Sequence, residues 1–316
     1  MWKRSSRVES NTSEAFAHIH NSSAELSTPR IGGVIIWISV LLTVVIIYFL
    51  SQIFPTDLTT KLNFFSRSQT LVPLGVLVLA AFIGLADDLL QIFGKGTYAK
   101  DPLIYRKIKI IFITLIGLAI SLWFYFKLDI STVHIPFNGD LYLGLLFIPF
   151  FILVMLAVFS SSVIDGMDGL SGGVLSTIFT AYAIIAFVHD QFDIATLCGV
   201  IAGGILAFLW FNIPPARFYM GETGMVGLTV TLSVIAFLTN SVLLLIVIGM
   251  PLVLTSLSVI VQVTAYKFFN KQRVFKVAPL HHHFEALGWS REKIVMRYWV
   301  ISVVFAIIGV IIALIS

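Results

Sequence analysis

The sequence predicts an all-α polytopic membrane protein of about nine transmembrane helices, with its chemistry gathered at one face. Three observations predict it. Of 316 residues, 58% are hydrophobic and 11% charged, with a mean hydropathy of +1.00; a soluble domain carries roughly 25% charged residues. The apolar residues come in runs of about 20, the length that crosses a hydrocarbon core of about 30 Å. The acidic and histidine residues that interrupt this pattern cluster at the ends of the runs.

Nine spans are expected, at 31–53, 71–93, 107–127, 141–162, 169–188, 194–213, 224–239, 241–266 and 296–315. The seventh and eighth are parted only by a tight turn at Thr239-Asn240. Residues 1–29 read as a polar, mobile leader with no apolar core and hence no cleavable signal, and 30–316 as a single transmembrane domain. Cys198 sits inside an apolar run and, being the only cysteine, can form no internal disulfide.

Orientation follows from charge. With residue 1 in the cytoplasm, the inner segments hold all of the 20 Lys and Arg residues except Lys61, Arg67 and Lys127. Cytoplasmic segments carry such an excess, so the N-terminus and the 267–295 segment are expected inside and the C-terminus outside. The pI near 9.1 is explained by this bias and calls for no nucleic acid. The environment is the lipid bilayer of a cell membrane.

That topology puts the unusual residues on the cytoplasmic face. Asp87 and Asp88 close the second span in GLADDLLQIF. Asp165 and Asp168 lie between the fourth and fifth in SSSVIDGMDGLSGG, and Glu222 follows the sixth in FNIPPARFYMGETG. After the eighth comes KVAPLHHHFEALGW, with His281, His282 and His283 beside Phe284, Glu285 and Trp289. A carboxylate at membrane depth is costly and marks a functional site by default.

Each motif also has a plainer reading. The aspartate pair could be an interfacial helix end, although adjacent like charges in an apolar run call for a cation. The DGMD stretch could be an ordinary Gly-Asp turn, although a spacing of three puts both carboxylates on one helix face. Glu222 could be a loop charge near Arg217. The histidines could chelate a metal or mark an incidental loop, but three in a row point in different directions and cannot easily share one ion. Together, hard oxygen ligands at a lipid–water boundary suit Mg²⁺, which keeps waters and takes phosphates as co-ligands. The basic loop 95–109 reads as a wall attracting phosphate or as a plain topology signal. The residues by themselves describe a membrane-embedded phosphoryl-transfer site, where positioning and charge neutralisation do most of the catalysis.

These motifs resemble those of the polyprenyl-phosphate N-acetylhexosamine-1-phosphate transferases. TPRIGG at 28–33, GLADD at 84–88, DGMDGLSGG at 165–173, FNIPPARFYMGETG at 211–224 and the histidine stretch occur in the family's order. The tail KVAPLHHHFEALGWSREKIVMRYWVIS is similar to the MraY branch, phospho-N-acetylmuramoyl-pentapeptide-transferase. The resemblance implies transfer of phospho-MurNAc-pentapeptide from UDP-MurNAc-pentapeptide to undecaprenyl phosphate, giving lipid I and UMP with Mg²⁺, and it is compatible with a homodimer.

By position, the resemblance makes Asp87 and Asp88 the active-site aspartate pair, leaving open whether one deprotonates the lipid phosphate or only orients it. His281, His282 and Lys107 match catalytic positions. Asp165, Gly166, Met167, Asp168 and His283 match substrate-contacting ones, and Tyr219 and Gln262 fall where uracil is stacked and hydrogen-bonded. Glu222, with Asp88 and Ser162, marks the metal pocket. The chain departs from the family's pattern at several points. Glu222 replaces an aspartate and Ser162 an asparagine, a lysine before the TP motif is missing, and the first of ten usual spans is absent. Other readings are a transferase moving GlcNAc-1-phosphate to the same carrier, towards which TPRIGG leans, a catalytically silent relative, and a transporter. A transporter's carboxylates belong at mid-membrane between repeats, not at one face.

Overall fold

The computed structural model describes residues 28–63, 68–93, 102–269 and 273–316. The greater part of the expected leader and residues 94–101 of the basic loop lie outside the described residues.

In chain order the elements are α1 (Gly33–Ile53), α2 (Asp57–Leu62), α3 (Ser68–Phe93), α4 (Pro102–Lys127), a hairpin of β1 (Thr132–Ile135) and β2 (Gly139–Tyr142), and α5 (Phe147–Ser160). There follow α6 (Leu170–Val188), α7 (Phe192–Asn212), α8 (Gly221–Leu238), α9 (Leu245–Ile248), α10 (Met250–Phe268), α11 (Leu280–Ala286) and α12 (Arg291–Ile315). Among the described residues nine helices are long and apolar enough to cross a membrane. The all-α polytopic fold is therefore as expected, and helices suit a bilayer because they satisfy every backbone group internally.

α8 is the hub. Every residue from Gly221 to Leu238 is buried except Glu222. Its sequence is rich in small residues, and the buried hydroxyls of Thr229 and Ser233 donate back to the carbonyls of Met225 (2.7 Å) and Thr229 (3.1 Å), which lets polar side chains sit inside the bundle. Small residues let helices approach closely where lipid offers no hydrophobic drive to associate. α3 packs against α8 along the stripe Leu77, Ala80, Ala81, Gly84 and Asp88, at helical spacings of three and four. A Cβ on Gly84 would collide with the carbonyl of Glu222, so this glycine sets the approach of the two helices at the site. At the opposite end of α8, Phe237 stacks on Phe151 with ring centroids 4.2 Å apart, closing the bundle with aromatic packing.

Three boundaries differ from the sequence expectation. The expected fourth span begins within a hairpin, because residues 132–142 pair as antiparallel strands with Thr132 opposite Tyr142. Helical structure starts at Gly144, which has φ +54°, a backbone region glycine adopts cheaply. The expected eighth span is broken. A short α9 ends at Gly249, and α10 restarts at Met250-Pro251, where proline supplies no N–H and so suits a helix start. The turn at Thr239-Asn240 is where expected, with Asn240 at φ +51°. Finally, α8 begins three residues before the expected 224, so Glu222 belongs to the helix's first turn and not to a loop.

Candidate active site

The site is built at the end of the bundle where α3 and α7 finish and α4, α6 and α8 begin. Asp87 and Asp88 lie in the last two turns of α3, each only 2% exposed. Being adjacent, they face different neighbours. Asp88 faces α8: its Oδ1 accepts the Glu222 N–H (3.1 Å), and its Oδ2 accepts the Thr223 N–H (2.8 Å) and hydroxyl (2.7 Å). The first amides of a helix have no intrahelical partner and the positive end of the helix dipole lies there, so a carboxylate is well placed. Gly221, with φ +68°, makes this possible, because a Cβ would meet Asp88 and the Arg30 carbonyl.

Asp87 faces α4. Its Oδ2 receives the Lys109 ammonium at 2.7 Å, and the same Nζ lies 2.9 Å from Glu222 Oε2. Gln91, one turn on, donates to Asp87 Oδ1 (3.2 Å) and accepts from Arg30 (3.4 Å). The cation that the aspartate pair required is therefore Lys109. Sequence reasoning singled out Lys107, which is exposed. The two lysines are two positions apart on a helix and so point to different faces.

The DGMD stretch is a loop of short turns between the 3-10 turn Ser161–Ile164 and α6. Asp165 accepts from the Ser171 hydroxyl (2.7 Å) and the Gly221 N–H (3.1 Å). Burial pushes its carboxyl above the ordinary value of 3.8, against the pull of the Ser171 hydrogen bond, the Arg30 charge and the Gly221 amide. Asp168 accepts the Ala216 N–H (3.0 Å) and so clamps the PPARFY segment, while Asn212 holds the Gly169 N–H and the Phe218 carbonyl, both at 2.9 Å. Met167 is buried. Ser162 lies in the 3-10 turn that packs against α8, and its carbonyl accepts the Asp165 N–H (3.2 Å). Tyr219 threads into the TPRIGG segment, its N–H on the Pro29 carbonyl (2.8 Å) and its carbonyl accepting from Gly32 (2.9 Å).

The histidines complete the site from α11. His281 and His282 are fully buried, their rings 4.4 Å apart, and both press on Gly166: a Cβ there would be 2.5 Å from His281 Nε2 and 2.9 Å from His282 Nε2. His282 Nδ1 lies 2.9 Å from Glu285, which also accepts from Arg291 (2.6 Å). Burial would raise the Glu285 carboxyl, but the His282 and Arg291 hydrogen bonds outweigh it and hold it below the ordinary 4.5. His283 turns elsewhere: its Nδ1 accepts the Lys276 N–H (3.1 Å) and its ring meets Phe275 edge-on. Gln262 uses both ends of its amide on the backbone of Phe275, at 2.9 and 3.1 Å, and so pins the start of the histidine segment.

Asp87, Asp88, Asp165, Gly166, Glu222, His281 and His282 thus form one run of contacts. Lys107 and His283 point away from it, and Gln262 braces it from behind. Arg30 and Lys109 are the basic groups that sequence reasoning did not single out. No local signal marks either one, because Arg30 and Lys109 lie on other segments than the aspartate pair and helical periodicity does not carry from one element to the next.

Hard carboxylate oxygens are the donor type Mg²⁺ favours; Asp87 and Glu222 turn theirs to the Lys109 ammonium, and Asp88 turns its own to the first turn of α8. Among the described residues no three His, Cys, Asp or Glu side chains converge as a ready metal cage, and the ammonium of Lys109 is the cation between Asp87 and Glu222. The donor set therefore fits Mg²⁺ in kind, with Lys109 as the counter-charge to be shared or moved.

Residues 70–240 match the family described as glycosyl transferase family 4. The chain is similar to three proteins named phospho-N-acetylmuramoyl-pentapeptide-transferase. One, from Chloroflexus aggregans, is 34% identical over 92% of this chain and 78% of the relative. The second, from Clostridium perfringens, is 35% identical over 89% and 83%. The third, from a Geobacillus species, is 34% identical over 90% and 83%. A shared profile across the aspartate pair, the DGMD loop and α8, with relatives at this identity over most of the chain, means that the chain belongs to glycosyl transferase family 4, in its phospho-N-acetylmuramoyl-pentapeptide-transferase branch.

Proposed function

We propose that the chain transfers phospho-MurNAc-pentapeptide from its UDP carrier to undecaprenyl phosphate, releasing UMP and forming lipid I for peptidoglycan synthesis. The observation that carries this is the similarity to proteins named for that reaction over about nine-tenths of the chain. The relatives do not favour the GlcNAc-1-phosphate reading.

The site's chemistry supports it. In such a transfer an oxygen of the lipid phosphate attacks the phosphorus joined to the sugar, the bridging P–O bond breaks, and UMP leaves with the electron pair. The protein's work is to place two phosphates in line and neutralise their charge. Lys109 and Arg30 supply fixed positive charge within the carboxylate cluster. His282 presents its Nε2 edge at Gly166, where it can donate to or accept from a phosphate. Asp87, Asp88 and Glu222 would hold Mg²⁺, which when bound draws charge from phosphate oxygens.

An apolar cavity beside the site supports a polyprenyl acceptor. With a volume of about 300 Å³, it runs between α5, α9 and α10, lined by Phe150, Val154, Val158, Leu252 and Ile260, and ends at Ser160 and Ser161. Those serines lead through the 3-10 turn to Asp165, so a polyprenyl chain in this groove would have its phosphate near the carboxylates. The charge bias supports a cytoplasmic position for this end of the bundle, where a UDP-linked substrate would be met.

The test is purified protein with undecaprenyl phosphate and either UDP-MurNAc-pentapeptide or UDP-GlcNAc, with UMP measured in Mg²⁺ and in EDTA. UMP release with the first donor, lost in EDTA, is the expected result. Release only with UDP-GlcNAc would overturn the substrate, release unchanged in EDTA would overturn the metal, and no release would favour a silent relative.

A further inference from the structure

Glu285 is the acidic residue of the histidine segment that the reaction scheme leaves without a role. It sits on α11, one turn after His282, and is 16% exposed. Its two oxygens have separate partners. Oε2 lies 2.9 Å from His282 Nδ1, and Oε1 accepts from Arg291 Nε at 2.6 Å. Arg291 is the first residue of α12, whose N-cap Ser290 accepts the Lys293 N–H. The carboxylate therefore joins a histidine of the site to a helix end anchored elsewhere in the fold. Around it, Phe284 stacks on Trp289 at 4.8 Å, and the Arg297 guanidinium covers Trp289 at 4.2 Å, which limits how far α11 can move against α12.

A neutral imidazole carries one N–H, and the hydrogen bond made by one nitrogen decides the state of the other. A carboxylate can only accept, and Glu285 is held below its ordinary pKa by these same hydrogen bonds, so it stays ionised. Facing it, a neutral His282 carries its proton on Nδ1, which leaves the acceptor lone pair on Nε2, the nitrogen turned towards Gly166 of the DGMD loop.

We infer that Glu285 is a positioning residue for His282: its carboxylate selects the Nδ1–H tautomer, fixes the ring's rotation and so presents an Nε2 acceptor to the loop that handles phosphate. Arg291 holds the carboxylate in place, but the tautomer depends on Glu285 alone. The inference concerns the same site as the transferase reading and takes its catalytic consequence from it.

The experiment uses the full chain in detergent with ¹⁵N-labelled histidine. The seven histidines are sorted by the signal lost in His282→Gln. In the unaltered protein the His282 resonances should report Nδ1–H with an unprotonated Nε2. Glu285→Gln keeps the shape and removes the obligate acceptor, and should give a tautomer mixture. It should lower kcat for UMP release by about 10- to 100-fold, the loss typical when a metal-bound histidine is deprived of its orienting carboxylate and taken here as the guide, with KM for the UDP-sugar little changed. Arg291→Gln should keep the tautomer and most of kcat while lowering thermal stability. An unchanged tautomer in Glu285→Gln overturns the inference. So does an Arg291→Gln variant that reproduces both the mixture and the kcat loss, because Glu285 would then serve only to tie α11 to α12. If the unaltered protein releases no UMP with either donor, the transferase reading falls, and the tautomer comparison still decides the role of Glu285.

Discussion

Asp88 and Thr223 are 135 residues apart in sequence, and one carboxylate oxygen of Asp88 takes both the backbone N–H (2.8 Å) and the hydroxyl (2.7 Å) of Thr223. The contact locks the end of α3 onto the start of α8, and Glu222 adds a third donor from the same turn (3.1 Å). The aspartate read from sequence as catalytic is thus also the cap of the central helix.

Asp88→Asn should therefore show two effects. An amide has one accepting oxygen for three donors and must turn its NH₂ towards one of them, which costs about 1–3 kcal/mol of stability. UMP release should fall by at least about 10²-fold, as when a positioned charge is removed from a transfer site. Thr223→Val keeps the backbone bond and should cost only about 1 kcal/mol. Thermal unfolding and UMP release measured on both variants would show whether they differ in this way. Near-normal turnover in Asp88→Asn would confine Asp88 to capping.

Lys109 and Lys107 should part company in a stability measurement. Lys109→Met leaves the buried Asp87 carboxylate without its ion partner, a loss of about 3–5 kcal/mol for a buried pair. Lys107 is exposed, so Lys107→Met should stay within about 0.5 kcal/mol. Denaturant unfolding of the two variants checks this, and equal effects would refute the assignment of Lys109 as the internal cation.

Gly166→Ala should disable the site and spare the bundle. The added methyl would sit 2.5 Å from His281 Nε2 and 2.9 Å from His282 Nε2, so both rings must withdraw. A displacement of about 1 Å in a positioned group can cost roughly 10²-fold in rate. The loop lies outside the spans, so the thermal midpoint should hardly move. Unchanged UMP release would mean that the imidazoles do not need to touch this loop.

Orientation can be read with single cysteines. Cys198 is fully buried and contributes little background. An impermeant thiol reagent applied to intact cells should label Ser316→Cys, at the end of α12, and should miss Ser290→Cys, at its start beside the histidine segment. The reverse pattern would place the carboxylate cluster outside and remove its access to a UDP-sugar.

The spans and the polar clusters at their ends were legible because each is a local matter. Roughly 20 apolar residues meet the length of a hydrocarbon core wherever they occur, and Asp87, Asp88, the DGMD loop and the histidine run stand out as polar atoms in apolar surroundings. The break at Gly249-Met250-Pro251 was also written locally and was passed over within a long apolar run.

Partnership was not legible. Nothing in RKIK tells Lys109 from Lys107; the choice arises because α4 meets α3 with one helical face and leaves the other outside. Glu222 looked like a loop charge until α8 was seen to begin at Gly221 and put it in a first turn beside Asp88 and Lys109. Gln262 had the chemistry of a base-reading amide, and packing turned it to the backbone of Phe275. Hydrophobicity decides where each helix lies because burial free energy is summed residue by residue and needs no partner. A buried charge instead requires a specific counter-group within about 3 Å, and which one it meets depends on the rotation and approach of helices far apart in the chain, set here by glycines such as Gly84 and Gly221.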